Sequence, residues 1–498
     1  RAWDNANFSA EFELQSVSAV DPGVNGHYVI AACPIRNEFI VMIGGQRTSS
    51  YRGIWAYAFN GSTWIPTGQL SPAGGDTGAG RRRMFACAYE QSTGRGIIVY
   101  RNDAVDIYRP KYRIWDGTNW SEEYDTGLDM RSEGVGSIYW LELVPKSQTD
   151  EIMLICQNSE GAIKTAVWDG SSWSLTGLET STGTASSAED KCFDAVYENI
   201  TKRCILVITS GTVVKTFQYY IWDSTSWAGP YYDSIPDITG YMLRWVRLAA
   251  KPGSDEIMLG VTNTEAAGID IGAAVWISTA SHFGHKIQAG TNAAATGDKV
   301  QCRPFDVVYE QSSGKGFIFY GHDTIANCGK IMYRIWENQT WSAETVGPSL
   351  SSARLKWIKA IPLKNSNEIL IVASDTGTYK SDIGETTANL FAIRWDGYSF
   401  GSVYTLETNI GGMPNEATPN RENFACSYRV DPYATFDFIP PAAVTDLTGE
   451  VLGDGMVKLT WSTAGDDGWD GVLPCGSRFL FVFSTATPTD SELTWPAT

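Results

Sequence analysis

The chain has 498 residues, more than one small core can organise, with 49 glycines and 12% aromatic residues, a composition of many short strands joined by tight turns. A formal charge of −18, with no basic run beyond Arg81, Arg82 and Arg83, excludes a nucleic-acid partner. No stretch approaches the roughly 18 consecutive apolar residues of a spanning helix, so no segment is expected to cross a membrane.

In chain order, the sequence opens with RAWDNANFSAEFEL, where Trp3, Asp4 and Phe8 form half of a turn motif that returns later. Arg1 in place of Met predicts a piece upstream. From Tyr28 comes YVIAACPIRNEFIVMI, then FNGSTW at Phe59. A second type of unit begins at Met84 with MFACAYEQSTGRGIIVY and ends in YRIWDGTNWS around Trp115. The two types then alternate. YWLELVPKSQTDEIMLI starts at Tyr139, CFDAVYENITKRCILV at Cys192, RWVRLAAKPGSDEIMLG at Arg244, RPFDVVYEQSSGKGFIFY at Arg303 and KWIKAIPLKNSNEILIV at Lys356. Each leads to a tryptophan turn, at Trp168, Trp222, Trp276, Trp336 and Trp395 in order, and at Trp276 only the front of the motif survives. ENFACSYRV at Glu422 opens a further unit that has no such turn before Pro440 and Pro441.

Every unit reads as two hairpins. Asp-Gly or Asn-Gly supplies the left-handed backbone of a tight turn, and the flanking aromatics face each other across the strands. A four-stranded sheet of this kind leaves an apolar face uncovered, and circular stacking covers it. The expected fold is therefore all-β: an eight-bladed β-propeller over residues 1–439, with the fragment at Trp3 completing the blade begun at Glu422. The competing architecture, an open solenoid of four double-length repeats, leaves that fragment unexplained.

After Pro440 the sequence PPAAVTDLTGEVLGDGMVKLTW, with Trp461, and the alternating Phe479, Phe481 and Phe483 resemble the opening of a fibronectin type III domain. The resemblance implies a β-sandwich, of which residues 440–498 cover only the first half. Another chain, or a continuation of this one, would complete it. Gly44 and Gly45 followed by FNGSTW resemble a kelch repeat, and the Trp-Asp-Gly turns resemble those of sialidase-like propellers, though neither signature persists around the ring.

Little in the repeats points to catalysis. Asp116, Asp169, Asp223 and Asp396 recur and read as turn formers, and Glu90, Glu198 and Glu310 recur likewise. The Ser-x-Asp-x-Gly-x-x-Trp boxes of sialidases are absent, as are nucleophile-elbow, phosphate-loop and H-E-x-x-H patterns. Asp194 and Asp306 follow Phe in equivalent units where Ala86 and Ala425 stand elsewhere; they read as hydrogen-bonding groups of the inner strands, with a channel hydrolase as the rival. His282 and His285 in SHFGH have a metal-compatible spacing but no third ligand nearby. Asp466, Asp467 and Asp470 in GDDGWDG are spaced like oxygen ligands and make calcium the one cofactor the sequence offers, against a solvated loop. Nine cysteines leave at least one unpaired within the chain, and Cys87 and Cys426, in the matching contexts MFACAY and NFACSY, read as small core residues.

The long departures from the repeat, starting at Thr262, Ser281, Ser374 and Asn409, are polar and carry few aromatic anchors. That composition suits a broad contact surface better than a deep pocket. The functional expectation is a non-enzymatic extracellular or surface-displayed scaffold for adhesion, or a filament subunit self-associating through the half sandwich or binding a protein partner. The alternative is a lectin whose exposed turn tryptophans stack on glycans, and behind it a propeller glycoside hydrolase.

Overall fold

The computed structural model describes residues 26–48, 51–72, 82–131, 136–182, 191–238, 240–263, 268–293, 302–324, 326–376, 378–380, 385–410, 424–427, 448–453 and 456–460. These are strands and turns, with no helix. Seven consecutive sheets are antiparallel in sequence order and span residues 26–71, 85–125, 138–181, 193–234, 243–290, 305–349 and 355–410. They are seven blades of a β-propeller, each running from an inner strand A to an outer strand D.

Strand A of blades 2, 4 and 6 is short: Phe85–Tyr89, Phe193–Tyr197 and Phe305–Tyr309. In blades 3, 5 and 7 it is longer: Ile138–Pro145, Leu243–Ala250 and Leu355–Pro362. In blades 5 and 7 this strand slips register just beside Trp245 and before Trp357, a bulge that re-aims the side chain. The alternation heard in the sequence is thus a real difference between blades. Neighbours also pair by backbone: Leu141 N–H donates to the Arg83 carbonyl at 3.1 Å, and Ile358 N–H to that of Arg303 at 3.3 Å.

The aromatic turn motif builds a cross-strand pair in every blade. Trp168 and Trp173 lie 5.5 Å apart between ring centres, Trp222 and Trp227 5.5 Å, Trp336 and Trp341 5.2 Å, and Phe59 and Trp64 5.2 Å. Blade 5 replaces the second tryptophan with Phe283, 5.2 Å from Trp276. Between blades lie the apolar cores. Leu141, Leu143, Ile152 and Leu154 meet Ala86, Ala88, Ile97 and Val99 in one; Val246, Leu248, Ile257 and Leu259 meet Ile205, Val207 and Phe217 in another. A glycine marks the tightest approach: a Cβ on Gly260 of blade 5 would lie 2.6 Å from the Phe305 ring of blade 6.

The sequence predicts eight blades, and the described residues form seven. The segments assigned to the eighth, residues 1–25 and most of 422–439, fall outside the described residues. Phe424 to Ser427 are described: Phe424 is buried and joins the cluster that holds Trp357, Val372 and Ala392 of blade 7, with Lys359 Nζ 5.9 Å from its ring.

The chain divides into two compact units, Arg1–Val430 and Asp431–Thr498. In the second, Thr448–Gly453 pairs antiparallel with Met456–Thr460. The hairpin alone does not make a sandwich, and Trp461, Phe479, Phe481 and Phe483 lie outside the described residues.

Candidate functional site

The centre of the ring is closed by aromatic side chains from the odd blades. His27 packs edge-on against Trp140 at 5.7 Å, Trp140 against Trp245 at 5.9 Å, and Trp245 against Trp357 at 5.2 Å. All four are buried. Edge-to-face packing suits the ring quadrupoles, so the four form a plug across the channel.

Two residues further along the same strands stand Glu142, Arg247 and Lys359, and Val29 in blade 1. With cations and carboxylates of the even blades they make a belt of ion pairs. Glu142 takes Arg83 on one side and Lys191, at 3.0 Å, on the other. Lys191 also reaches Asp194 at 2.8 Å; Arg247 spans Asp194 at 3.4 Å and Asp306 at 2.9 Å; Arg303 closes on Asp306 at 3.2 Å. Burial opposes the charge on Glu142, but Arg83 and Lys191 outweigh it and hold its carboxyl well below the usual carboxylate range. The same balance, burial against Arg247 and Arg303, lowers Asp306.

Asp194 and Asp306 do more than pair. Asp194 Oδ2 accepts the Leu248 N–H at 2.8 Å, and Asp306 Oδ2 the Ala360 N–H at 3.0 Å, so each carboxylate satisfies the inner strand of the next blade. This is the inner-strand role read from the sequence. Beside the belt is a cavity of about 180 Å³, lined by the charged residues of the belt and Lys359 together with Val29, Trp140, Trp245, Val246, Ala360, Ile361 and Cys426.

Toward the rim, the recurring glutamates clasp one blade to the next. Trp115 Nε1 donates to Glu38 at 3.1 Å, Trp168 to Glu90 at 2.6 Å, Trp276 to Glu198 at 2.7 Å, Trp336 to Glu256 at 2.9 Å and Trp395 to Glu310 at 2.7 Å. In each pair the acid belongs to the preceding blade. In blade 4 the buried Trp222 indole N–H has no hydrogen-bond partner, while Glu151 accepts the Tyr197 hydroxyl at 2.8 Å. The recurring aspartates are turn formers as expected; Asp223, for example, accepts the N–H groups of Thr225 at 2.9 Å and Ser226 at 2.8 Å. The Thr225 hydroxyl and these N–H groups lower its carboxyl to about 2.

The turn tryptophans are not the exposed platforms that the sequence suggests. Trp64, Trp120, Trp173, Trp227 and Trp341 are half-buried. Trp120 donates to the Ile65 carbonyl at 3.1 Å, Trp227 to the Thr176 hydroxyl at 3.0 Å and Trp341 to the His285 carbonyl at 2.7 Å, each on the preceding blade. Well-exposed aromatics are Tyr398, 89% exposed within the Trp395–Phe400 turn itself, and Tyr232, 69% exposed on the outer strand of blade 4.

Antiparallel order puts the A–B and C–D turns at one face of the ring and the B–C and D–A connections at the other. The short turns and the clasps belong to the first face. The polar departures starting at Thr262, Ser374 and Asn409, and the end of that starting at Ser281, belong to the second. Residues 264–267, 294–301, 381–384 and 411–423 of these stretches lie outside the described residues.

His282 and His285 are exposed, and the His285 ring packs on Trp336 of the next blade at 4.8 Å. Among the described residues no three His, Cys, Asp or Glu side chains gather as a metal site. Asp466, Asp467 and Asp470 lie outside the described residues. Among the described residues Cys33, Cys87, Cys156, Cys204 and Cys328 carry free thiols; Cys87 is buried, which pushes its thiol up to about 12, and Cys426 is half-buried at the cavity.

No family model matches the chain, and no curated protein does. Solved structures do. A lectin of Burkholderia pseudomallei, BP39L, matches with a TM-score of 0.47 at 9% identity, over 77% of this chain and all of its own. The Chaetomium thermophilum protein Sqt1, bound to the N-terminus of the ribosomal protein L10, gives 0.47 at 12% identity, over 76% of this chain and 88% of its own. The fucose-recognising six-bladed propeller lectin of Aleuria aurantia gives 0.33 at 14% identity, over 66% of this chain and 96% of its own.

Proposed function

We propose that the chain is a non-enzymatic recognition propeller that works outside the cell, as an adhesion or assembly module, and reads its partner with the face that carries the long connections. One observation carries this: the recurring carboxylates are tied into blade clasps and turns on one face, while sequence variation is concentrated at the connections of the other. A rigid ring presenting variable loops is the usual arrangement of a binding scaffold. No helix among the described residues is long and apolar enough to cross a membrane.

Glycan recognition is the second reading, and the exposed Tyr398 and Tyr232 favour it, since an open aromatic face is what a sugar ring stacks on. The half-buried turn tryptophans do not supply that surface. A glycan array probed with the full chain and with Tyr232→Ala and Tyr398→Ala separates the two. Signal lost in either variant selects the lectin; silence with retained adhesion to cells or to its own polymer selects the scaffold. Turnover of glycosides would overturn both.

The ring in this proposal has eight blades. At each clasp except that of blade 4 an acid of one blade meets a tryptophan of the next, and two further positions break the pattern together: blade 1 has Phe59 in place of the tryptophan, and the repeat at Glu422 has Arg429 where Glu90, Glu198 and Glu310 stand. A lost donor and a lost acceptor agree if these two meet. On the other side Glu368 of blade 7 and Trp3 retain both partners. The half sandwich after Pro440 is the part of the proposal that would mediate self-association, by strand donation.

A further inference from the structure

We infer that His322 makes the B–C connection of blade 6 an acid-released segment of the loop face: a proton on its imidazole removes the acceptor that holds the connection. The release stands on the geometry of this chain alone. That the released segment takes part in binding rests on the reading above.

Blades 2 to 7 hold the start of this connection in one way. At the position where strand B closes, fixed by its register from the turn tryptophan, a side chain accepts a backbone N–H from the connection or the strand beyond it. Asn102 takes the N–H of Ala104 at 3.1 Å, Asn158 that of Ala162 at 2.8 Å and Ser210 that of Val213 at 3.0 Å. Asn263 takes that of Asp270 at 2.8 Å, and Asp375 that of Asn389 at 2.8 Å. In blade 6 the acceptor is an imidazole nitrogen: His322 Nδ1 takes the Thr324 N–H at 3.1 Å and lies 3.0 Å from the Thr324 hydroxyl. Asparagine and serine do not ionise, and a carboxyl group keeps an acceptor oxygen even when protonated. Imidazolium has two donors and no acceptor. His322 is therefore the member of the set that a proton turns from an acceptor into a donor facing another donor.

The surroundings set the direction. His322 is buried, and burial lowers its pKa from the ordinary 6.5 although Glu344 and Asp323 favour the charged form. Glu344 is held by the Tyr320 hydroxyl at 2.7 Å, and Asp323 pairs with Arg354 from the approach to blade 7. On the blade 5 side the Asn292 carbonyl accepts the Asp323 N–H at 2.7 Å and brings no charge. Because the folded value lies below the open-state value of about 6.5, the open connection takes the proton first. Protection is complete above that value and is lost as pH falls through the lower folded one.

The test is hydrogen exchange of the full chain read by mass spectrometry at about pH 7 and about pH 5.5, with times matched to the intrinsic rate. Glu142 and Asp306, held below the usual carboxylate range, stay ionised over this interval, so the belt does not contribute. Exchange in a peptide covering Asp323 and Thr324 should rise at least about fivefold at the lower pH, while one covering Ala104 in blade 2 should not change. His322→Asn, which installs the residue that blades 2, 3 and 5 use, should stay protected at both pH values, and His322→Ala should exchange fast at both. Histidine-selective carbon-13 NMR, with four histidines in the chain, reads the protonation of His322 itself. Wild-type exchange that ignores pH, a rise that survives in His322→Asn, or a His322 that titrates above 6.5 would each overturn the proposal. No partner enters the measurement, so a loop face that binds nothing and a connection that is not released are separate results.

Discussion

The indole Nε1 of Trp276 in blade 5 lies 2.7 Å from Oε1 of Glu198 in blade 4, and that carboxylate also takes Arg203 at 2.7 Å with none of its side chain exposed. The Thr201 hydroxyl bonds it as well, and a buried acid with several charged or polar partners is costly to leave half satisfied. Glu198→Ala should therefore destabilise the ring by about 3 kcal/mol, because Arg203 and Trp276 lose their acceptor together. Trp222→Phe should cost much less than Trp276→Phe, since the Trp222 indole N–H has no hydrogen bond to lose. Urea midpoints at constant slope would measure both.

The belt makes stability depend on acid. The folded-state pKa values of Glu142 and Asp306 are depressed, so their contribution is complete above the unfolded carboxylate values of about 4, and is lost as pH falls through the lower folded values. The melting temperature should be level in these terms from pH 8 to about 5 and fall steeply below about 4. In Glu142→Gln the fall should be shallower, from a lower starting stability. An unchanged acid limb would remove the belt from the account.

Gly260 faces the Phe305 ring with no room for a methyl group. Gly260→Ala should cost about 1–3 kcal/mol through overpacking. Phe305→Leu should recover part of that loss, a non-additive pair detectable in a double-mutant cycle. Simple additivity would show that the contact relaxes without strain.

The proposed eighth blade predicts that removing residues 1–14 lowers the melting temperature and promotes association, because the strands they would pair with would be left as edges. Trp3→Phe should cost about 1 kcal/mol in the wild-type chain and little in Glu368→Ala, as expected of a coupled donor and acceptor. Independent effects would argue for an open array.

The blade motifs were legible because turn chemistry and cross-strand pairing are local: Asp116, Asp169, Asp223 and Asp396 announce their role within three residues. Asp194 and Asp306 were legible as hydrogen-bonding groups because they recur on inner strands. The clasps were not. Glu198 and Trp276 are 78 positions apart, and both were visible as repeats, but only the stacking of blade on blade shows that one repeat's acid serves the next repeat's indole. The belt was hidden for a different reason: Glu142, Arg247 and Lys359 occupy equivalent positions with opposite charges, so alignment averages away what the ring brings face to face. The turn tryptophans looked exposed because a turn is usually solvated, yet the preceding blade covers them.

The unequal inner strands set how such a ring can change over generations. A short blade offers its carbonyl and carboxylate to a long one, at Arg83 and Leu141, at Asp194 and Leu248, and at Asp306 and Ala360. Deleting or duplicating a single blade would set like beside like at the seam, with inner-strand amides facing no acceptor. Gain or loss of two blades together restores the match, so the heritable unit of such a ring is the couple.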